Sequence, residues 1–359
     1  MRRALAAALI ALVASAARAE PYLAARTGLS CGACHLNRTG GGGRTAYGAG
    51  YGARSLPWKK LIAGHELVDG AIGERIRLGF DGRGSYAATF RDPGPYIGEA
   101  KISEASLYLG VELVKDTLSI YVDESIAPGG ASAREAVAIY AAPWAGLYAK
   151  AGKFFLPFGL RLQDDEAATR RGTGFTLDSS DVGAEVGFDD GRWTSALSIT
   201  NGTSGGAESD NDKQIVWSGA RVWTLGRLGL SASNNDLPEA AHRTVAGAFG
   251  TFNAGPVVVL AEADVLRDDD GVHPETRGGA GHIEIDAAAH DGLNLRAFAG
   301  AYDLDRDNGV GRLSQWGVAA DWTPLPGLQV RATYRNRRGP ASVPGSDDDQ
   351  AALEIHVYF

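Results

Sequence analysis

The last nine residues, Ala351-Ala352-Leu353-Glu354-Ile355-His356-Val357-Tyr358-Phe359, alternate without a break. Ala351, Leu353, Ile355, Val357 and Phe359 form one set, and Ala352, Glu354, His356 and Tyr358 the other. A strand sends successive side chains to opposite faces, so a period of two builds one apolar face and one polar face. A single such strand suits the edge of any sheet. The reading turns on how often the pattern recurs upstream.

It recurs throughout. Leu328, Val330, Ala332 and Tyr334 alternate with Gln329, Arg331, Thr333 and Arg335. Leu293, Leu295, Ala297, Ala299 and Ala301 alternate with Asn294, Arg296, Phe298, Gly300 and Tyr302, and Ile76, Leu78 and Phe80 with Arg75, Arg77 and Gly79. Apolar faces opposed to charged ones, segment after segment, predict a membrane β-barrel with a wet lumen. The lumen-phase charges are then Arg75, Arg77, Arg296, Arg331, Arg335, Glu284, Asp286 and Glu354. The terminal phenylalanine resembles the end of the last strand of bacterial outer-membrane proteins.

The connections alternate too. Tight turns fall at 115–116, 143–146, 189–191, 225–226, 253–256, 291–292 and 324–327. Longer polar stretches occupy 91–99, 125–134, 155–180, 201–213, 236–242, 266–277, 303–312 and 338–349. Short periplasmic turns and long outer loops are the asymmetry of such barrels. Cutting the chain at Asp81–Gly84 gives seventeen strands and starts the first one outside the cell. Read as one strand over about 72–90 with a bulge, the chain has sixteen.

The start of the chain is different. Arg2 and Arg3, an apolar run from Ala4 to Ala14 and Ala17-Arg18-Ala19 read as a secretory signal over 1–19, with the mature chain beginning at Glu20. Residues 20–64 form a segment with the two cysteines of the chain, in Cys31-Gly32-Ala33-Cys34-His35, and 65–359 form the barrel. Two thiols at this spacing each add across one vinyl group of a haem, and the next imidazole reaches the iron. The expectation is one covalent haem c on Cys31 and Cys34 with His35 as an iron ligand. The motif is expected to open a short helix that the run Gly40–Gly43 breaks. So short a segment has little with which to bury a cofactor, and placing it inside the barrel would supply the missing walls.

The sixth iron position is open to a second histidine, a lysine such as Lys59 or Lys60, or no ligand. Methionine is excluded, because Met1 leaves with the signal. His65 ranks first by position; His242 and His273 fall in outer loops, and His282, His290 and His356 complete the set. Acidic stretches at Asp164–Glu166, Glu208–Asp212, Asp268–Asp270, Asp303–Asp307 and Asp347–Asp349 read as solvated loop tips, or as a negative mouth that concentrates cations. The formal charge is −8 with no basic patch, which excludes nucleic acid as a partner. No catalytic triad or phosphate loop is legible, so any turnover, such as oxidation of Fe(II), rests on the haem.

With Arg26-Thr27-Gly28, Cys31, Cys34, His35 and the pairs Tyr47-Gly48 and Tyr51-Gly52, the chain resembles the outer-membrane monohaem cytochrome–porin fusions of iron-oxidising bacteria. Gly152-Lys153-Phe154-Phe155-Leu156-Pro157-Phe158-Gly159 is similar to a segment common in porins. The resemblance implies a sixteen-stranded porin in the Gram-negative outer membrane, in contact with its lipid. It implies electrons passing between an extracellular donor such as Fe(II) and periplasmic cytochromes. The other expectation is a solute-diffusion porin whose haem segment is a plug or sensor.

Overall fold

The computed structural model describes residues 20–60, 68–91, 94, 96–144, 146–176, 179–208, 211–236, 241–307, 311–340 and 347–359. The signal segment 1–19 and His65 lie outside the described residues. Sixteen antiparallel strands close into one barrel. They run from β2 (Ile76–Phe90) to β17 (Asp348–Tyr358), each bonded to the next in sequence, and β17 returns to β2. A two-residue strand, β1 (Ala71–Ile72), folds back on the foot of β2.

The first barrel strand is continuous through Asp81–Gly84, as the alternation requires, and starts at Ile76 rather than 72. The bulge is there, but its extra residue belongs to the neighbour β3 (Ile97–Val114). Arg83 pairs with Glu104 and Gly84 with Ile102, which leaves Ser103 unpaired. All seven tight turns join adjacent strands. At Asp291-Gly292, between β13 (Thr276–His290) and β14 (Leu293–Asp303), Gly292 takes φ +73°, the left-handed geometry a two-residue hairpin needs.

The two phases separate as expected. In β14, Leu295, Ala297, Ala299 and Ala301 are exposed, while Asn294, Arg296, Phe298 and Tyr302 are buried. All seven tryptophans are exposed on the outside. Trp144, Trp193, Trp223 and Trp322 lie near the short turns, where an aromatic girdle meets the membrane interface. No helix among the described residues is long and apolar enough to cross a bilayer; the strands do so. The architecture is that of a porin-like outer-membrane barrel.

The lumen is packed from both ends. From the short-turn end enter α1 (Pro21–Thr27), one 3₁₀ turn at Cys31–Ala33 and α2 (Ala46–Arg54). From the other end the stretch 156–176 turns inward instead of standing as an outer loop. It carries α3 (Ala168–Thr173) against β13 and β14. Its acids explain the turn: Asp164 pairs with Arg335, and Glu166 with Arg337 at 2.8 Å and Arg171 at 2.9 Å. The expectation that Asp164–Glu166 is a solvated loop tip is therefore corrected. Arg335 serves the lumen as its phase required. Arg75 does not, since it precedes β2 and donates to the Leu113 carbonyl at the exposed rim.

Candidate functional site

The N-terminal segment is fixed by its first residues. Glu20 precedes α1, whose first position is Pro21, where a missing N–H costs nothing. Its carboxylate meets Arg331 and lies 3.6 Å from Arg296, and both guanidiniums share Asp321. Tyr22, Leu23 and Ala25 are buried among Leu160 and Leu162 of the inward stretch and Phe249, Val258 and Leu260 of the wall. Each large apolar side chain so covered contributes about 1.5–3 kcal/mol. Gly28 ends the helix at φ +68°, and a Cβ there would stand 3.1 Å from the Thr224 backbone, so the chain hugs the turn before β10 (Gly226–Asp236).

The motif opens a short helix as expected, a single 3₁₀ turn over Cys31–Ala33 that ends before the glycine run. The N–H groups of Cys34 and His35 donate to the Cys31 carbonyl at 3.1 and 3.0 Å. The chain then doubles back: Leu36 N–H donates to Gly43 and Thr45 N–H to Cys34, both at 3.0 Å. The glycine run lies in this loop, where Gly43 N–H donates to the Tyr121 hydroxyl at 2.9 Å. Asn37 donates to Glu135 at 2.8 Å, and Lys150, paired with Glu185 at 3.1 Å, donates to Thr39 at 3.0 Å. These are buried polar groups of the wall, and each finds its partner in the segment.

Helix α2 was not legible beforehand, though its signal was there. Tyr47-Gly48 and Tyr51-Gly52 repeat at a spacing of four, which places both glycines on one helical face. Thr45 caps the helix, accepting from Gly48 N–H at 3.2 Å. Gly48 lies so close to the Cys34 carbonyl that any side chain would overlap it. The helix is thereby laid directly on the motif.

Cys31, Cys34 and His35 converge on one cavity of about 1830 Å³, counting the space where it opens to solvent. Both thiols are free. Leu29, Tyr51, Leu56, Phe158 and Leu160 supply apolar wall. Arg38, Arg44, Arg134, Arg161 and Arg227 reach it from several elements. Arg161 donates to the Thr39 and Gly40 carbonyls at 3.0 and 2.8 Å through Nη1, while its buried Nη2 has no partner. Arg227 approaches Cys31 Sγ at 3.9 Å, with Nε buried and unpartnered.

Burial drives the His35 imidazole down to about 3, helped by the Arg44 and Arg161 guanidiniums and opposed by the backbone at Gly41 and Gly42. The ring is therefore neutral at ordinary pH, with a lone pair to offer. Its Nδ1 is buried without a hydrogen-bond partner. Burial also raises the Cys34 thiol, reinforced by Cys31 and opposed by Arg44.

The other described histidines do not line this cavity. His356 is in the lumen as its phase predicted, but both ring nitrogens are engaged, by Asp81 at 2.7 Å and Gln329 at 3.1 Å. His282 is buried beside Glu284 at 3.7 Å. His290 sits at its turn against the Asp291 carbonyl, and His273 pairs with Asp270 in an outer loop at 2.7 Å. His242 begins β11 (His242–Ala254) at the outer end. Among the described residues, no histidine but His35 and no lysine lines the cavity.

No family profile matches the chain, and no curated protein matches it in sequence. Its fold is similar to solved porins. An anion-selective porin from Comamonas acidovorans superposes with a TM-score of 0.65 at 9% identity, over 79% of this chain and 99% of that one. OmpT of Vibrio cholerae, folded in vitro, gives 0.61 at 11% identity, over 80% and 99%. The outer-membrane channel DcaP of Acinetobacter baumannii gives 0.59 at 12%, over 83% and 100%.

Proposed function

We propose that this porin-like barrel carries one covalent haem c on its N-terminal segment and passes electrons between an extracellular donor such as Fe(II) and periplasmic cytochromes. The observation that carries the reading is the convergence of Cys31, Cys34 and His35, on one turn, at a large cavity within the lumen. The residues fit the group. Two free thiols supply both tethers, and a neutral, buried imidazole with an unpartnered nitrogen supplies an iron ligand. The apolar wall would exclude water from the faces of a planar macrocycle, and Arg161 and Arg227, with Nη2 and Nε unpartnered, would offer donors to its carboxylates.

When bound, the iron supplies one-electron chemistry between its ferric and ferrous states. Everything else falls to the chain. Gly48 and the loop 36–45 hold the motif turn rigid, and Glu20 ties the segment to the wall. A hydrocarbon layer about 30 Å thick separates donor from acceptor, and a cofactor inside the lumen shortens the distance to each. His65, outside the described residues, is the proposed second iron ligand and would complete the coordination that His35 begins.

The experiment is a reduced-minus-oxidised spectrum of the purified protein titrated with Fe²⁺ near neutral pH. Ferrous haem bands that grow with added Fe²⁺ are expected. Absence of any haem signal would end the reading, whereas a haem that only another reductant reduces would end the iron assignment alone.

A solute-diffusion porin with a plug is the second reading. The likeness to porins, one of them anion-selective, favours it, as do the five arginines around the cavity. Single-channel conductance separates the two: a wide steady pore with anion preference supports diffusion, and a closed barrel supports the plugged conduit.

A further inference from the structure

A second cavity, of about 550 Å³ including space open to solvent, lies toward the outer loops. Its lining comes from the far end of the inward stretch, from the loop at Ser204 and from the outer ends of β9 (Gln214–Trp223), β10 and β11. The floor is apolar and buried, with Phe175 and Val245. The walls are hydroxyls and amides, chiefly Ser179, Gln214, Ser233 and Asn235.

Arg243 is the one charged side chain among these lining residues. Its Nη2 donates to the Gly172 and Thr173 carbonyls at 2.9 and 3.3 Å, and its Nε stands 3.4 Å from Asp268. Gln214 donates to the Ser233 hydroxyl at 3.1 Å, which fixes both groups at the wall. Asn235 donates to the Gly202 carbonyl at 3.2 Å, but its Oδ1 is buried with no donor facing it. A buried acceptor left unpaired loses the water it bonded when unfolded and gains nothing in return. An incoming hydroxyl would make good that loss.

We propose that this vestibule binds a small neutral polyhydroxylated solute, of the sugar or polyol class. Hydroxyls and amides both donate and accept, which matches a ligand whose own groups do the same. A cation would find no free carboxylate among the lining residues, and an anion would meet only Arg243, which already lies 3.4 Å from Asp268. Phe175 offers a flat apolar surface for the C–H face of a ring, while its stack on Phe158 holds it in place. The site does not depend on whether the inner cavity holds a haem.

Calorimetric titration of the full chain in detergent tests this, with glucose as probe and gluconate as its charged counterpart. Saturable glucose binding is expected with a Kd on the order of 1 mM, and gluconate at least about tenfold weaker. Asn235→Leu should weaken glucose binding by at least about tenfold, the loss of a hydrogen bond in a desolvated site. Gln214→Leu provides a second variant if Asn235→Leu fails to assemble, as judged by heat-modifiable migration. No saturable heat with glucose, tighter binding of gluconate, or unaltered glucose binding in an assembled variant would each overturn the proposal.

Discussion

Phe158 and Phe175 stack face to face, their ring centroids 4.3 Å apart and their planes within 5°. Phe158 lines the inner cavity and Phe175 the outer vestibule, so the pair is a partition that both spaces share. Both rings belong to the inward stretch, which begins where β6 (Leu147–Phe155) ends.

Removing the partition should join the two spaces. Phe158→Ala with Phe175→Ala deletes two buried rings, at about 3–5 kcal/mol each, without touching a barrel strand. We expect the double variant to assemble and to conduct more ions per channel than the parent in planar bilayers. Equal conductance would mean that another part of the lumen closes the path.

Cys31→Ala together with Cys34→Ala should abolish haem staining after denaturing electrophoresis and leave the barrel heat-modifiable. These are the two thiols of the chain, and neither lies in a strand. Each single variant should retain at most one thioether and bind weakly. Full staining of the double variant would refute covalent attachment.

Acid should release the inward stretch. Burial raises the Asp164 carboxyl, but the Arg335 guanidinium outweighs it, with Arg296 adding to the effect, and the group rests below its ordinary value. An undocked carboxyl titrates near about 3.9. The docking stability is thus fully present above that value and is lost as pH falls through the lower, docked one. Protease cleavage within 156–176 should increase as the pH is lowered below about 4, and Asp164→Asn should show it already at neutral pH. Cleavage that is equally slow at every pH would place the anchor elsewhere.

Deleting Phe359 should reduce assembled barrel more than it reduces the stability of barrel already formed. Its N–H donates to the Phe80 carbonyl at 3.3 Å and its ring lies 6.5 Å from that of Phe80, a modest contact at the seam. Quantifying folded protein in the outer membrane, beside thermal melting of purified barrel, checks both halves. Normal yield would remove its role as an insertion signal.

The barrel was legible because its rule is local. A period of two and the turn residues specify each strand without reference to distant parts of the chain, and the outward set Ala351, Leu353 and Ile355 is exposed as that rule requires. What escaped depends on distant pairing. Nothing near Asp164 in sequence shows that Arg335 awaits it across the lumen, so the inward fold could not be read. The extra residue at the bulge was assigned to the wrong strand, because glycines at 82 and 84 mark the place but not which neighbour carries it. The motif residues Cys31, Cys34 and His35 were legible as a set; that Arg161 and Arg227 would join them was not, since they come from an inward loop and a wall strand.

The tie between Glu20 and Arg331 spans 311 positions, from the first described residue to β16 (Leu328–Arg338), the last strand but one. Loop closure over such a distance is slow to be rewarded during folding. Docking of the N-terminal segment is therefore completed late: its other ties reach earlier strands, but this one does not exist until β16 is in place. Up to that moment Cys31 and Cys34 stand clear of the complete wall; afterwards they are reached only through the cavity they line. If they carry the proposed haem, barrel closure narrows the route to their modification.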